Sequence, residues 1–258
     1  MNVYYMNGAG NDFMVMDARE KEDLDFSALA VKACALTGAD GFMAVGMSDT
    51  ADFRLHFYNS DGTRGEMCGN GARCICRFAY DMGIAGETMV VQTDAGAVPG
   101  WRIREDRYRV QLNNPGVLDL HRKGDIAYIE LGNPGVPHAV ARYDGDLWAD
   151  ADCIWDHLRQ LRHDPAFPKG ANVNFYQVLG ENEVRILTFE RGVEDYTLAC
   201  GTGTGSVAVT LWTKGQLPGG KLTAHNRGGT LTVTIEGSET VEKIFLEGPA
   251  QLGTIYEM

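Results

Sequence analysis

Two stretches of alternating apolar and polar residues predict strands that lead into polar loops. They run over residues 53–57 and 184–189, and alternation with a period of two is typical of a strand with one buried face. After each loop, apolar residues at helical spacing continue to a glycine, Gly83 in the first case and Gly215 in the second. The second helical segment, 206–214, is apolar on nearly every side, which predicts a helix surrounded by protein.

These elements repeat at a fixed offset of 132 residues, the separation of Cys68 from Cys200. The residues from Phe57 correspond to those from Phe189, and 93–96 correspond to 225–228. A motif repeated half a chain apart predicts two similar domains, residues 1–120 and 121–258, with the C-terminal strand able to cross back to the first. The predicted fold class is α+β with two pseudo-symmetric lobes. Each lobe is a mostly antiparallel sheet wrapped around a central helix, and the active site is expected in the cleft between them.

Composition narrows the class of protein. The 258 residues are 44% hydrophobic and 22% charged, as in soluble globular proteins. A net charge of -12 disfavours a nucleic-acid partner, which would need clustered Lys and Arg. The N-terminus does not resemble a signal peptide and no run of 18 apolar residues occurs, so we expect a cytoplasmic protein without a membrane partner. Six cysteines are too few for a disulfide scaffold.

Two cysteines stand where a loop meets a glycine-rich helix start. Cys68 precedes Gly69-Asn70-Gly71, and Cys200 precedes Gly201-Thr202-Gly203. A helix N-terminus carries unpaired N–H groups and a partial positive charge, which favours a thiolate and also binds a carboxylate. Packing alone would accept Ala, Val or Ser at either position, so the repetition indicates two reactive thiols.

Three alternatives compete with this interpretation. In the first alternative, Cys68 and Cys200 are ordinary buried structural residues. We expect that structural role for the other four cysteines, Cys34, Cys74, Cys76 and Cys153. A zinc site is the second, but the cysteines at 68, 74 and 76 have no second pair of ligands at the usual spacing, so no metal is expected. Dinucleotide binding is the third, and none of the Gly-x-Gly sequences completes the required motif.

Paired thiols suit one reaction in particular. Inversion at an α-carbon needs a base on one side of the carbon and an acid on the other. The two helix starts can stabilise the charge that develops on the α-carboxylate, so no electron-sink cofactor is expected. A thiol pair that only cycles through a disulfide and a non-catalytic anion-binding protein remain as other classes.

The sequence resembles the diaminopimelate epimerase family. The resemblance lies in Asn59-Ser60-Asp61-Gly62 leading to Met67-Cys68-Gly69-Asn70-Gly71-Ala72-Arg73-Cys74, in Glu190-Arg191-Gly192 leading to Ala199-Cys200-Gly201-Thr202-Gly203, and in Gly10-Asn11-Asp12-Phe13. It implies a pyridoxal-independent epimerase that converts L,L-diaminopimelate to the meso isomer in lysine and peptidoglycan precursor synthesis. It also implies two similar lobes and a homodimer.

The resemblance also implies roles for individual residues. Cys68 and Cys200 match the two catalytic bases, and His138 and Glu190 match groups that assist them. The substrate-binding positions that it implies are Asn11, Asn59, Gly69, Asn70, Asn172, Glu190, Arg191, Gly201 and Thr202. Arg191 suits a distal carboxylate and Glu190 a distal ammonium group.

Two positions depart from the family pattern. Val136 stands in Gly135-Val136-Pro137-His138 where an asparagine is expected, and Gly41 stands beside Asp40 where a glutamine is expected. Both concern substrate contacts rather than the bases. They leave open a related racemase or epimerase that acts on another amino acid.

Overall fold

The computed structural model describes residues 1–258 apart from 22, 66 and 67. The described chain forms an α+β fold that divides into two units, Met1–Gln111 with Glu247–Met258, and Leu112–Leu246. The helices are α1 (Phe26–Thr37), α2 (Gly69–Asp81), α3 (Ala151–Arg162) and α4 (Gly201–Thr213). No described helix has both the length and the apolar character needed to cross a membrane.

Strands account for most of the remaining regular structure. In chain order they are β1 (Asn2–Gly8), β2 (Asn11–Asp17), β3 (Gly41–Gly46), β4 (Phe53–Asn59), β5 (Thr88–Thr93), β6 (Gly96–Arg104), β7 (Arg107–Leu112), β8 (Pro115–Lys123), β9 (Ile126–Gly132), β10 (Gly135–Arg142), β11 (Asn172–Gly180), β12 (Glu183–Glu190), β13 (Asp195–Thr197), β14 (Lys221–Asn226), β15 (Gly229–Glu236), β16 (Lys243–Pro249) and β17 (Gln251–Glu257).

The sheet of the first unit runs in the order β17, β1, β2, β3, β4, β5, β6, β7. The pairs β2–β3 and β4–β5 are parallel, and the other pairs are antiparallel. α1 packs on β2, β3 and β4. Asp25 caps this helix by accepting a hydrogen bond from Ala28 N at 3.1 Å, and Gly38 ends it with a φ of 74°.

The sheet of the second unit has a closely similar order: β8, β9, β10, β11, β12, β14, β15, with β13 paired to the end of β12. Its parallel pairs are β10–β11 and β12–β14. α3 packs on β11 and β12, through a cluster that includes Leu158, Leu161 and Phe189.

Each unit has one helix that its strands surround. α2 contacts β1, β2, β3, β6 and β17, and α4 contacts β9, β10, β11, β14 and β15. Ten residues of each helix are buried. Burial of one Val or Leu side chain contributes about 1.5–3 kcal/mol, so the apolar faces hold both helices in place. The predicted α+β class, with a sheet around a central helix in each half, is confirmed.

The internal repeat extends to the bounds of the elements. α2 and α4 begin and end at the same offset, Gly69 to Gly201 and Asp81 to Thr213, and each spans 13 residues. Each helix is followed by a glycine in the left-handed backbone conformation, Gly83 with a φ of 66° and Gly215 with a φ of 69°. Strands predicted over 53–57 and 184–189 form the main parts of β4 and β12.

Candidate active site

Cys68 is the N-cap residue of α2. Its backbone is extended, with φ -109° and ψ 122°, and its side chain is partly exposed. The first backbone hydrogen bond of the helix runs from Ala72 N to Cys68 O at 2.7 Å. The N–H groups of Gly69 and Asn70 precede that bond, where a helix binds anions. The thiol therefore lies beside a potential carboxylate site.

Cys200 occupies the same position in α4, with φ -113° and ψ 113°. It is 6% exposed. Its sulfur accepts a hydrogen bond from Gly203 N at 3.4 Å and lies 3.6 Å from Thr202 Oγ1. Thr204 N donates to Cys200 O at 2.9 Å, so the N–H groups of Gly201 and Thr202 again precede the intrahelical ladder. The sequence prediction that both cysteines open helices is correct.

A chain of side-chain hydrogen bonds links the start of α2 to the ends of neighbouring strands. Arg73 Nη2 donates to Asn70 Oδ1 at 3.0 Å, and Asn70 Nδ2 donates to Asn11 Oδ1. Asn11 Nδ2 then donates to Asp40 Oδ2 at 3.2 Å. Each amide is thereby fixed in one orientation, and two of the predicted substrate-binding residues, Asn11 and Asn70, lie in direct contact.

Asn59 lies close to this chain of hydrogen bonds because of the register of the strands. It pairs with Gly41, which also pairs with Phe13 on the other side of β3. Its Nδ2 donates to Thr63 Oγ1 at 3.0 Å, inside the turn that follows β4. In the first unit, Asn11, Asn59 and Asn70 are therefore brought to one end of the sheet, next to the start of α2.

His138 is fully buried in β10, beside Asn172 in the register of β10 and β11. Its Nδ1 lies 3.2 Å from Nδ2 of Asn174. The two hydrogens of that amide nitrogen are shared among His138 Nδ1 and the carbonyl oxygens of Asn172 at 2.9 Å and Ala139 at 3.3 Å, which fixes the orientation of the amide. An amide nitrogen only donates, so His138 Nδ1 accepts and the neutral ring carries its proton on Nε2.

The electrostatic environment keeps His138 neutral. Burial, and secondarily the positive charge of Arg191, lower the pKa of His138 from 6.5 to about 3. Its Nε2 is buried, and no hydrogen-bond partner for it occurs among the residues that the structure describes. At neutral pH this histidine can donate one hydrogen bond but cannot act as a proton store.

Asn174 connects His138 to the start of α4, and the sequence analysis missed it. A Cβ added at Gly203 would lie 2.1 Å from Asn174 Oδ1 and 3.2 Å from the sulfur of Cys200. Asn174 Oδ1 also accepts a hydrogen bond from Thr188 Oγ1 at 2.9 Å. Gly203 is therefore needed because a side chain of the same unit fills the space. The available signal was an asparagine in an apolar strand, which must find partners when buried.

Asn172 and Arg191 meet near the same end of the second sheet. Asn172 Oδ1 accepts from Arg191 N at 2.8 Å, and Arg191 Nη1 donates to Lys169 O at 3.1 Å. Glu190 is the last residue of β12 and is opposite Asp195 in β13. The structure thus brings Asn172, Glu190 and Arg191 together at one end of the second sheet, and His138, in the interior of β10, lies beside Asn172.

The two departures from the family pattern have different structural settings. A Cβ at Gly41 would lie 2.8 Å from the Phe57 ring and 2.9 Å from Tyr58 O, so this backbone does not accommodate a glutamine there. Val136 is half-buried and pairs with Leu131 on β9. Asn133, the nearest asparagine in sequence, is exposed and precedes a cis proline.

The remaining cysteines differ from the two at the helix starts. Cys34, Cys74 and Cys76 are buried, and burial raises the pKa of Cys34 to about 11 and the pKa values of Cys74 and Cys76 to about 12. Cys153 is exposed on α3. Among the described residues, no group of three or more His, Cys, Asp or Glu side chains is arranged to hold a metal ion.

The fold is shared with solved structures that include a phenazine biosynthesis protein and an amino-acid epimerase. A phenazine biosynthesis protein of the PhzF family from Bacillus anthracis has a TM-score of 0.75 at 16% identity, covering 100% of this chain and 98% of that chain. A hydroxyproline epimerase from Agrobacterium vitis has a TM-score of 0.68 at 16% identity, covering 99% of this chain and 90% of that chain.

Sequence similarity identifies the family to which the chain belongs. The chain belongs to the diaminopimelate epimerase family, whose model matches residues 3–115 and 128–253. A diaminopimelate epimerase of Aquifex aeolicus is 35% identical, over 96% of this chain and 94% of its own length. A diaminopimelate epimerase of Methanothrix thermoacetophila is 34% identical, over 95% of this chain and 91% of its own length. The resemblance inferred from the cysteine motifs is confirmed.

Proposed function

We propose that this protein interconverts L,L- and meso-diaminopimelate by proton transfer at one α-carbon. The observation that carries the proposal is the pair of cysteines, Cys68 and Cys200, each at the N-cap of a buried helix at the same position of the repeat. Membership of the diaminopimelate epimerase family, and curated relatives of that name, support the substrate. In this proposal the protein serves lysine and peptidoglycan precursor synthesis.

The chemistry uses one thiolate and one thiol. The thiolate removes the α-proton and becomes a thiol, and the electron pair left on carbon is delocalised into the α-carboxylate. The other thiol delivers its proton to the opposite face and becomes a thiolate, so the configuration inverts and the two sulfurs exchange states. The backbone N–H groups of Gly69, Asn70, Gly201 and Thr202 stabilise the charge on the carboxylate.

His138 assists as a neutral hydrogen-bond donor. Its ring is held by Asn174, which also contacts the first turn of α4, where Cys200 lies. A donor of fixed orientation stabilises a thiolate without competing for its proton, because a histidine with a pKa of about 3 stays unprotonated at neutral pH. We assign to Glu190, as the family resemblance implies, a role that also assists the two catalytic thiols.

The other end of diaminopimelate carries an amino group and a carboxylate, which need charged and amide partners. Arg191 pairs with the distal carboxylate, Glu190 with the distal ammonium, and Asn11, Asn59 and Asn172 provide amide hydrogen bonds. These assignments rest on the matched family positions and on the gathering of the residues at the ends of strands in each unit.

A second candidate is epimerisation or racemisation of another amino acid. It is favoured by Val136, which places an apolar side chain at a position where the family pattern has an asparagine, and by Gly41, where no side chain fits. The reaction type is the same in both candidates. Only the contacts to the far end of the substrate differ.

Proton NMR in D2O tests the proposal directly. With the reduced enzyme, L,L-diaminopimelate should lose its α-hydrogen signal as the meso isomer forms. Cys68→Ala and Cys200→Ala should each reduce the rate of isomer formation about 10³-fold or more, because each removes one of two required proton carriers. Cys153→Ser, which alters an exposed cysteine, is the matched control and should react normally.

The outcomes separate the two candidates. Absence of exchange with diaminopimelate, together with thiol-dependent exchange of another amino acid, would replace the substrate and keep the mechanism. Isomerisation that survives either cysteine substitution would contradict the two-thiol mechanism itself.

We infer also that the protein is cytoplasmic and homodimeric. The cytoplasmic assignment is supported by cysteines whose proposed chemistry needs the reduced form, and the dimer by the family resemblance. Light scattering on the purified chain tests the dimer, and a mass of one chain, 28.2 kDa, would contradict it.

A further inference from the structure

Arg73 is a fully buried cation that the proposed chemistry does not use. It lies on α2, one turn beyond Gly69, and is 0% exposed. Its Nη1 donates to Gly69 O at 3.2 Å, its Nη2 to Asn70 Oδ1 at 3.0 Å and its Nε to Pro249 O at 3.3 Å. All three acceptors are neutral, and among the described residues no carboxylate forms an ion pair with this guanidinium. A buried charge normally requires a countercharge.

Asp40 is linked to Arg73 only through the neutral side chains of Asn70 and Asn11, so the countercharge must come from a group that acts on Arg73 more directly. Among the described residues, the ionisable side chains with the largest electrostatic effects on Arg73 are, in decreasing order, Cys74, Cys68, Arg107 and Cys76. Burial raises the pKa values of Cys74 and Cys76 to about 12, so both stay neutral thiols. Arg107 is itself paired with Glu247 at 2.7 Å. Burial lowers the pKa of Arg73 only to about 10, so it stays charged at neutral pH.

The second unit has no equivalent cation. At the repeat offset, Arg73 corresponds to Gly205 in α4, where an added Cβ would lie 2.8 Å from Leu112 and 3.3 Å from Leu131. Apolar side chains therefore occupy the corresponding space. Cys200 is also more buried than Cys68, which disfavours its charged form.

We propose that Arg73 is a positioning residue that makes Cys68 the thiolate of the resting protein and leaves Cys200 as the thiol. The two sulfurs are thus unequal although the helix starts that hold them match. This deepens the proposed function and rests on it for its catalytic consequence: the resting enzyme is ready to deprotonate one stereoisomer, and the other must bind the less populated form.

Thiol titration tests the assignment without any turnover. In a Cys153→Ser background, the alkylation rate of each cysteine by iodoacetamide is followed against pH, with peptides assigned by mass spectrometry. Cys68 should show an apparent pKa lower than that of Cys200 by about one unit or more. Arg73→Met should raise the pKa of Cys68 by about one unit or more and leave that of Cys200 unchanged, because only Cys68 loses a nearby positive charge. Arg73→Lys, which keeps the charge, should largely preserve it.

Arg77→Met is the matched control. Arg77 lies one turn further along α2 and donates to Ala250 O at 2.6 Å, as Arg73 donates to Pro249 O, but it is also paired with Asp81. It should leave the pKa of Cys68 unchanged. A folded Arg73→Met protein with an unaltered Cys68, or an equal effect of Arg77→Met, would overturn the proposal.

Two further outcomes are decisive. If Arg73→Met does not fold, the Cys153→Ser protein alone decides, since Cys200 as the more acidic thiol would refute the assignment and a more acidic Cys68 would uphold it. Failure of diaminopimelate to react would refute the proposed substrate while leaving the thiol titration, and hence the role of Arg73, intact.

Discussion

The starts of α2 and α4 have matching backbones and different surroundings. Both begin with a cysteine in extended conformation followed by a glycine-containing first turn. Around Cys68 the neighbouring side chains form a hydrogen-bond chain from Arg73 to Asp40, which carries charges of both signs. Near Cys200 the polar side chains include Thr202, Asn174 and the neutral His138. The repeat therefore conserves the position of the thiol, and the strands around it determine its electrostatics.

Gly71 and Gly203 occupy the same position in α2 and α4, and substitution of these two glycines should show the largest difference between the two units. Gly203→Ala places a Cβ 2.1 Å from Asn174 Oδ1, whose side chain is held by four hydrogen-bond contacts and cannot move aside. We expect a loss of about 3 kcal/mol in the free energy of unfolding, the upper end of the usual cost of overpacking. Chemical denaturation measures it.

Gly71→Ala is the equivalent change in the first unit. The nearest atom to its added Cβ is the sulfur of Met43 at 3.3 Å, at the flexible end of a side chain. Alanine also favours a helix over glycine by about 1 kcal/mol, so the net change should be below about 1 kcal/mol. Equal losses in the two variants would show that the units are not packed differently at these positions.

The buried histidine should make stability depend on pH. The pKa of His138 is about 3 in the folded protein and 6.5 in the unfolded chain, so the unfolded chain takes up the proton first as the pH falls. Its contribution is complete above pH 6.5 and is lost progressively toward pH 3. Between pH 6.5 and 5, the wild type should lose about 2 kcal/mol more than His138→Gln.

The control for this measurement is His121→Gln, because His121 is exposed. That variant should follow the wild type across the same pH range. If His138→Gln also follows the wild type, folding does not lower the pKa of His138, and the donor that stays neutral well below pH 6.5 is contradicted.

The smallest difference between the two units is expected at the glycines that follow α2 and α4, where the same substitution should cost the same free energy of unfolding. Gly83 and Gly215 adopt φ values of 66° and 69° after α2 and α4, and no atom of the residues that the structure describes lies within 4 Å of a Cβ added at either. Each Gly→Ala change should cost about 1 kcal/mol, the penalty for a non-glycine residue in the left-handed region. A difference of more than about 0.5 kcal/mol between the two would show that the helix ends, too, have diverged.

Sequence patterns predicted most of the fold because they depend on local and repeated signals. The alternation in β4 and β12, the glycine after each central helix and the Cys-Gly-x-Gly motifs all lie within a few residues of the structure they determine. The grouping of Asn11, Asn59 and Asn70 followed from family resemblance and agrees with the hydrogen bonds within the first unit.

The parts that sequence analysis did not predict depend on contacts between distant positions. In the sequence, Asn174 is only one polar residue in an apolar strand. Its importance becomes clear from the structure, in which its side chain packs against Gly203. Arg73 reads as an ordinary helical arginine, since nothing in the neighbouring residues indicates that it is buried. The requirement for glycine at 41 likewise comes from Phe57 and Tyr58 on the adjacent strand.

The equal length and constant offset of α2 and α4 are those expected of an internal gene duplication. An ancestor made of two identical half-length chains would have had to place the same residue at both positions 73 and 205, because one coding sequence specified both. Fusion into a single chain removed that constraint. Arginine in one copy and glycine in the other is a difference that only a fused gene can inherit.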